Sequence, residues 1–354
     1  MTSLLSSDPN PLKVVGFGHP LLDIISNVDS DFLKKYAVEL GSVNLAQEDQ
    51  LAIFEELSQR RDVEFVPGGA AMNTIRVVRW MMGEVGSGRC AYVGCLGDDE
   101  FGSILHRSLT KGGVGSHFQR SDDKPTGTCA VLIVEKERSL LANLGAALQF
   151  SMSHFHSPQV TTAISNANLY YCEGFFLNTE ASPQASLAIG KHCADNNKIF
   201  TYNLSAPYLC HIFKDRWAQV VPYIDVVFGS RIDILAYAEA FDWEEKDKDM
   251  ELIMRRFAIL PKINPSRDRL VVITGGSDAT FVATKDSFVS YPTVPVPLEE
   301  IVDTNGAGDA FVGGFLSKYV QHQPIEVCVH AGHLAAGEII RNNGCTFGDI
   351  PPSV

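Results

Sequence analysis

The 354-residue sequence predicts an α/β protein: an α/β/α sandwich around a mostly parallel central sheet, with a small β-sheet lid. Two observations carry the sandwich. From residue 160 onward, short runs rich in β-branched and aromatic residues alternate with segments of helical length. Those runs are apolar along their length rather than at every second residue, as strands covered on both faces must be. The lid rests on a third observation. The N-terminal third breaks the rhythm with a strand, a charged turn and a second strand, the pattern of a β-hairpin.

In chain order, "KVVGFG" (13–18) is the first core strand. The segment around 24–46 and "EFV" (64–66) join the small sheet. "CAYVGCLG" (90–97) returns to the core, and "TCAVLIVEKERSLLAN" (128–143) is the hairpin. The parallel rhythm then runs through "NLYYCEGFF" (168–176), "KIFTYNLS" (198–205), "YIDVVFGS" (223–230) and "RLVVITGG" (269–276). Helices are expected between them, for example over 182–196 and 231–242. "EEKDKDM" (244–250) reads as a solvated helix start or loop. Residues 1–22, 71–125 and 145–354 are assigned to the large domain. Residues 23–70, with some helix inserted, and 126–144 are assigned to the lid.

Composition narrows the function. Hydrophobic residues at 45% and charged residues at 20% are those of an ordinary soluble globular protein. A net charge of −13 with no offsetting block of Lys and Arg argues against nucleic acid or an anionic membrane as partner. An anionic substrate must therefore be held by a few local donors. The eight cysteines lack CxxC spacing and mostly sit in apolar runs such as "YYCEGFF". They are expected to be buried thiols of a reducing compartment. No apolar run reaches the length of a membrane span and no signal-peptide core is visible, so a cytoplasmic location is expected.

The chemistry concentrates in glycine turns. "DTNGAGDAFVGGFL" (303–316) carries Gly306-Ala307-Gly308 into the start of a helix. Such a helix end presents unpartnered N–H groups and a favourable dipole to an anion. Asp309 in the first turn would stand beside a phosphoryl group in transfer and could take a proton from an attacking hydroxyl. The same Asp would also simply complement the helix dipole. "VPGGAAMNTIRVVRWMM" (66–82) repeats the device: Gly68-Gly69 end a strand, and Asn73 lies in the first turn of the helix that follows. Its alternative is a helix cap with close backbone packing. In "GFGHPLLDI" (16–24), Asp23 could accept both hydroxyls of a vicinal diol, or serve as a turn residue.

The paired motifs "GGAAMN" and "DTNGAGDAFVGGF" resemble the two signatures of the ribokinase-like carbohydrate kinase superfamily. "HPLLDI", "PTGTCA", "RSLLANLGAA", "GFFL", "NLSAP" and "GCTF" are similar to the adenosine kinases within it, in the expected order from about residue 13 to 350. The resemblance implies a ribokinase fold, with ATP and Mg²⁺ used to phosphorylate the 5′-hydroxyl of adenosine, giving AMP and ADP in purine salvage. It also implies a monomer, and raises a monovalent cation such as K⁺ near the 302–308 loop. Asp309 matches the general base, and Gly306, Ala307 and Gly308 the anion hole. Asp23, Gly69 and Asn73 match the ribose-binding set, and Leu21, Leu140, Ala142 and Phe175 the apolar walls around the purine. Arg138 matches a lid arginine that contacts phosphates; its place in the charged turn "EKER" predicts an exposed side chain in an open form. Asn305, Thr274, Gly276 and His333 match the nucleotide side.

Three positions depart from that pattern. His19, in the substrate-binding set, stands where adenosine kinases often have Asn, and Ala70 and Met72 stand where Ser and Gln are common. A further departure is Ser230-Arg231-Ile232-Asp233 in place of an Asn-x-x-Glu that sits near the nucleotide's magnesium. Asp233 is expected to keep an outer-shell role there, with helix capping as the alternative. The other functions left open are a kinase of a free sugar such as ribose or fructose, and a non-catalytic nucleoside-binding protein. The apolar walls favour a purine acceptor over a sugar.

Overall fold

The computed structural model describes residues 13–135, 137–243 and 249–354. Among these residues, fourteen strands form two sheets. The first eight in chain order are β1 (Val14–Phe17), β2 (Leu21–Asn27), β3 (Val43–Leu45), β4 (Glu64–Gly68), β5 (Cys90–Gly97), β6 (Gly115–Ser121), β7 (Thr128–Val134) and β8 (Glu137–Asn143). The remaining six are β9 (Leu169–Glu173), β10 (Ile199–Asn203), β11 (Val226–Ser230), β12 (Leu270–Gly275), β13 (Asp278–Ala283) and β14 (Phe288–Tyr291).

Alternation along β9 shows why both faces of the large sheet are covered. Leu169 and Tyr171 enter one hydrophobic core, while Tyr170 and Cys172 enter the other, and all four are fully buried. The first core includes the helix Ala70–Met81 and the helix Ala307–Tyr319 through Ile75, Phe311 and Phe315. The second takes residues such as Ile189 and Ile234 from the helices Ala181–Asp195 and Arg231–Ala240. The large sheet has nine strands in the order β14-β13-β12-β11-β10-β9-β1-β5-β6. Pairing is parallel from β12 through to β6, and β13 and β14 add an antiparallel edge. This is the predicted sandwich with its mostly parallel sheet.

The small sheet has the order β3-β8-β7-β2-β4. The predicted hairpin is β7–β8, paired antiparallel with Val134 opposite Glu137. β2 joins it in parallel and pairs antiparallel with β4, Asp23 standing opposite Val66. The sheet has its own apolar core, in which Ile24, Ile53, Leu57, Ala130 and Leu132 are fully buried. Of the "EEKDKDM" segment, residues 244–248 lie outside the described residues. Asp249 caps the helix Met250–Ala258 by accepting from the Glu251 and Leu252 amides.

Candidate active site

In a parallel sheet the C-terminal strand ends form the natural ligand crevice, and here five of them converge. β1 leads to His19, β9 ends at Glu173, β10 at Asn203, β11 at Ser230, and β12 carries Thr274 near its end. The small sheet faces this edge and encloses a cleft of about 460 Å³. His19, Leu21, Asp23, Gly69, Asn73, Arg138, Leu140, Ala142, Phe175, Asn305, Gly308 and Asp309 all line it. Residues far apart in sequence are thus brought to one place.

The Gly68-Gly69 turn is dictated by close approach. A Cβ on Gly68 would fall 2.3–2.6 Å from the Asp23 carboxylate. Gly69 has φ +91°, and a Cβ there would come 2.4 Å from the His19 carbonyl. The turn delivers Asn73 to the base of its helix, where Nδ2 donates to Asp309 Oδ2 at 3.1 Å. Asp23 is 6% exposed. Burial pushes its carboxyl up to about 7, with the Asp309 and Asp303 charges acting the same way and Arg76 opposing. Its carboxylate accepts no protein hydrogen bond among the described residues, so it is free to take a donor from a ligand.

The Gly306-Ala307-Gly308 turn is built differently. Gly306 is left-handed at φ +78° and offers the helix Ala307–Tyr319 no side-chain cap. The Ala307 amide turns back to the Thr304 carbonyl at 3.3 Å and the Ala310 amide bonds the Gly306 carbonyl at 2.9 Å. The intervening amides of Gly308 and Asp309 stay at the helix end, which carries the positive pole of the dipole. Beyond its own neighbours and helix backbone, a Cβ on Gly308 would meet nothing among the described residues within 4 Å. Asp309 beside it is pushed up to about 7 by burial, the Asn73 hydrogen bond opposing. A carboxylate so raised is a better base than a free one.

Arg138 is not an exposed turn residue. It lies on β8, and its side chain is 14% exposed because Nε pairs with Asp303 Oδ1 at 3.1 Å. Nη2 donates to Asn343 Oδ1 at 3.2 Å, tying the small sheet to the loop beside the anion hole. Asp303 is held in turn by the amides of Asn305 and Gly344, at 2.8 and 2.7 Å. Among the described residues Nη1 of Arg138 has no hydrogen-bond partner, and the residue lines the cleft. One charged donor is left over for an anion.

A second cleft, of about 550 Å³, adjoins the first. Its lining includes Asn203, Ser230, Asp233, Thr274 and Phe311, and it shares Ala70, Phe175, Tyr208, Gly308 and Asp309 with the first cleft. Asp309 therefore stands at the junction. Asp233 forms a capping box: its Oδ2 accepts from the Ser230 amide and hydroxyl, each at 2.7 Å, while its own amide donates to Ser230 Oγ at 3.4 Å. Burial raises its pKa, those two bonds opposing.

Two expected nucleotide contacts line neither cleft. Gly276 takes φ +67° in the turn after β12, and His333 is buried against Thr280 Oγ1 at 2.8 Å. Met72 is fully buried in the core, so its departure from Gln leaves no cleft contact to explain. Phe176 lies behind the site with its ring against His19. Among the described residues the ring nitrogens of His19 make no hydrogen bond. Burial lowers this imidazole to about 4, the Phe175 backbone opposing.

Glu173 is absent from the sequence-based site set. It is 1% exposed, lines the first cleft, and is pushed up to about 8 chiefly by burial. The signal was present: a lone carboxylate within the apolar run "LYYCEGFF".

The pfkB family carbohydrate kinase model matches residues 34–351. The chain belongs to that family of kinases. Within it, the chain is 40% identical to adenosine kinase 2 of Arabidopsis thaliana over 338 residues, 96% of each chain. It is 39% identical to the adenosine kinase of Dictyostelium discoideum, covering 97% of this chain and 98% of that one. The crystal structure of Anopheles gambiae adenosine kinase, in complex with P1,P4-di(adenosine-5) tetraphosphate, superposes with a TM-score of 0.88 at 38% identity, covering 96% and 98% of the two chains.

Proposed function

We propose that the chain transfers the γ-phosphoryl group of ATP to the 5′-hydroxyl of adenosine, releasing AMP and ADP. The observation that carries this reading is the junction. A carboxylate, Asp309, and an open helix end lie where an apolar cleft meets a second cleft, which lets acceptor and donor approach in line. The adenosine kinases among the relatives supply the acceptor's identity, and the walls Leu21, Leu140, Ala142 and Phe175 suit a purine.

In this reading Asp23 takes the ribose hydroxyls, which sets the 5′-hydroxyl toward Asp309. The hydroxyl proton passes to the Asp309 carboxylate as the oxygen bonds to phosphorus, and the bond from phosphorus to the ADP oxygen breaks. The Gly308 and Asp309 amides and Arg138 Nη1 balance the charge of the moving group. Magnesium fits the donor set. The Asp233 carboxylate lines the second cleft, as suits an ion carried by phosphates and water. Asp233 would orient that water, and the bound ion would neutralise phosphate charge. All eight cysteines are free and buried, which supports a reducing, cytoplasmic setting.

Coupled measurement of ADP release with adenosine, ribose and fructose tests the reading. Turnover with adenosine alone is expected. Preference for either sugar, or no ADP with any of the three, would overturn it.

A further inference from the structure

We infer that Glu173 is a positioning residue for the acceptor: a single carboxylate that clamps two of the chain passages between the large sheet and the small one. The first passage runs from β1 to β2 through His19, whose amide donates to Glu173 Oε1 at 3.0 Å. The second runs from β4 into the helix Ala70–Met81, where the Ala71 amide donates to Oε2 at 2.6 Å. The carboxylate itself is fixed at the end of β9, where Glu173 pairs with Asn203 of β10. There is no slack around it. A Cβ on Gly18 would come 2.5 Å from Oε1 and 2.6 Å from the Ala71 Cβ.

The chemistry of the clamp is specific. Two separate N–H donors need two acceptor oxygens, which a carboxyl group has and an amide lacks. Burying such a polar group is unfavourable unless its partners satisfy it. Both passages end on the acceptor cleft: one leads into β2 and Asp23, the other into Asn73, which bonds Asp309. Glu173 thus sets the separation between the group that would hold ribose and the group that would take the proton. It does so without needing to touch the reacting atoms. The second cleft's Ser230 and Thr274 sit on β11 and β12, outside the clamp. The inference rests on reading the first cleft as the adenosine site.

Glu173→Gln keeps the side-chain shape but turns an NH₂ toward one of the two amides. The folded variant is expected to raise the adenosine KM by about tenfold or more and to leave the ATP KM within about twofold. Amide exchange at His19 or Ala71 should also quicken in the ligand-free protein. Gly18→Ala strains the same clamp from outside without removing the carboxyl group, and should give the same split between the two KM values. This second variant decides the matter if Glu173→Gln does not fold. An unchanged adenosine KM in a folded variant, or equal rises in both KM values, would overturn the inference. Absence of adenosine phosphorylation by the unaltered protein would instead overturn the functional reading, while the exchange measurement still tests the clamp.

Discussion

The two glycine turns look alike in sequence and serve opposite ends. At Gly68-Gly69 the missing side chains are demanded by the protein itself, since added atoms would strike the Asp23 carboxylate and the His19 carbonyl. At Gly308, apart from its own chain neighbours and helix backbone, no atom of the described residues lies within 4 Å of where a Cβ would stand. The first turn is closed. At its helix end the Ala71 amide is held by Glu173 and the Asn73 amide by the Gly69 carbonyl. The second turn is open, with amides and dipole left for an anion. A glycine kept by packing and a glycine kept for a ligand can be told apart only by what surrounds them.

The largest expected effect lies at the open turn. Asp309→Asn keeps the shape and removes the basicity, so turnover should fall by about 10²–10⁴ while adenosine still binds. Stability should move the other way. The folded-state pKa of Asp309 is raised to about 7, above the ordinary value of about 4. Its contribution to stability is therefore fully present below about pH 4 and is lost as pH rises toward 7. A thermal melt at pH 8 should then show the Asn variant at least as stable as the parent. In the parent, activity should climb as pH rises through about 7 and the base ionises. Near-normal turnover in Asp309→Asn would remove Asp309 as the base and, with it, the reason for reading that turn as open to a phosphoryl group.

A paired substitution tests the comparison directly. Gly308→Ala places a methyl group in empty space, so the melting temperature should hold while turnover falls by roughly ten- to a hundredfold, because the anion is displaced. Gly68→Ala forces a methyl against a buried carboxylate and should cost about 1–3 kcal/mol of stability. The contrast is the prediction. If Gly308→Ala destabilises as much as Gly68→Ala, the open turn is a packing feature and the difference between the two turns disappears.

How far such features can be read without coordinates depends on the range of the interaction. The core strands were legible because residues buried on both faces are apolar wherever they fall, as in "LVVIT" of β12. The edge strands β13 and β14 escaped, since "DATFVA" and "FVSY" keep polar and exposed positions. Asp309, Asp23 and Asn73 stood in local motifs and do line one cleft. Arg138, expected to be exposed in an open form, is here paired with Asp303, which lies on a distant loop that no local pattern connects to it. Glu173 was hidden inside a strand whose other residues are core, and its two donors come from segments more than a hundred residues away. Local chemistry could be read, but long-range pairing could not.

The smallest expected effect concerns a third strand-to-helix turn, at Ser230. Here the helix end is closed by side chains: Ser230 caps the Asp233 amide, and Asp233 answers to the Ser230 amide and hydroxyl. Such a turn offers less to an anion than the open turn at Gly308 does, yet Asp233 still lines the cleft assigned to ATP. Both hydrogen bonds to its carboxylate fall on Oδ2, so the group can cap the helix and still present an oxygen to water around a phosphate-borne magnesium. Asp233→Ala should therefore do two things at once. Losing the capping box should cost about 0.5–2 kcal/mol of stability, and the Mg²⁺ concentration for half-maximal activity should rise by a few-fold at fixed ATP, by roughly the scale of one weak polar contact. Asp233→Glu lengthens the reach by one methylene and should keep or lower that concentration. Magnesium titrations of the three proteins, read beside their melting curves, separate the roles. If the alanine variant melts earlier but its magnesium curve overlays the parent's, Asp233 is a helix cap alone, and the open turn at Gly308 remains the anion-facing helix end of the pair.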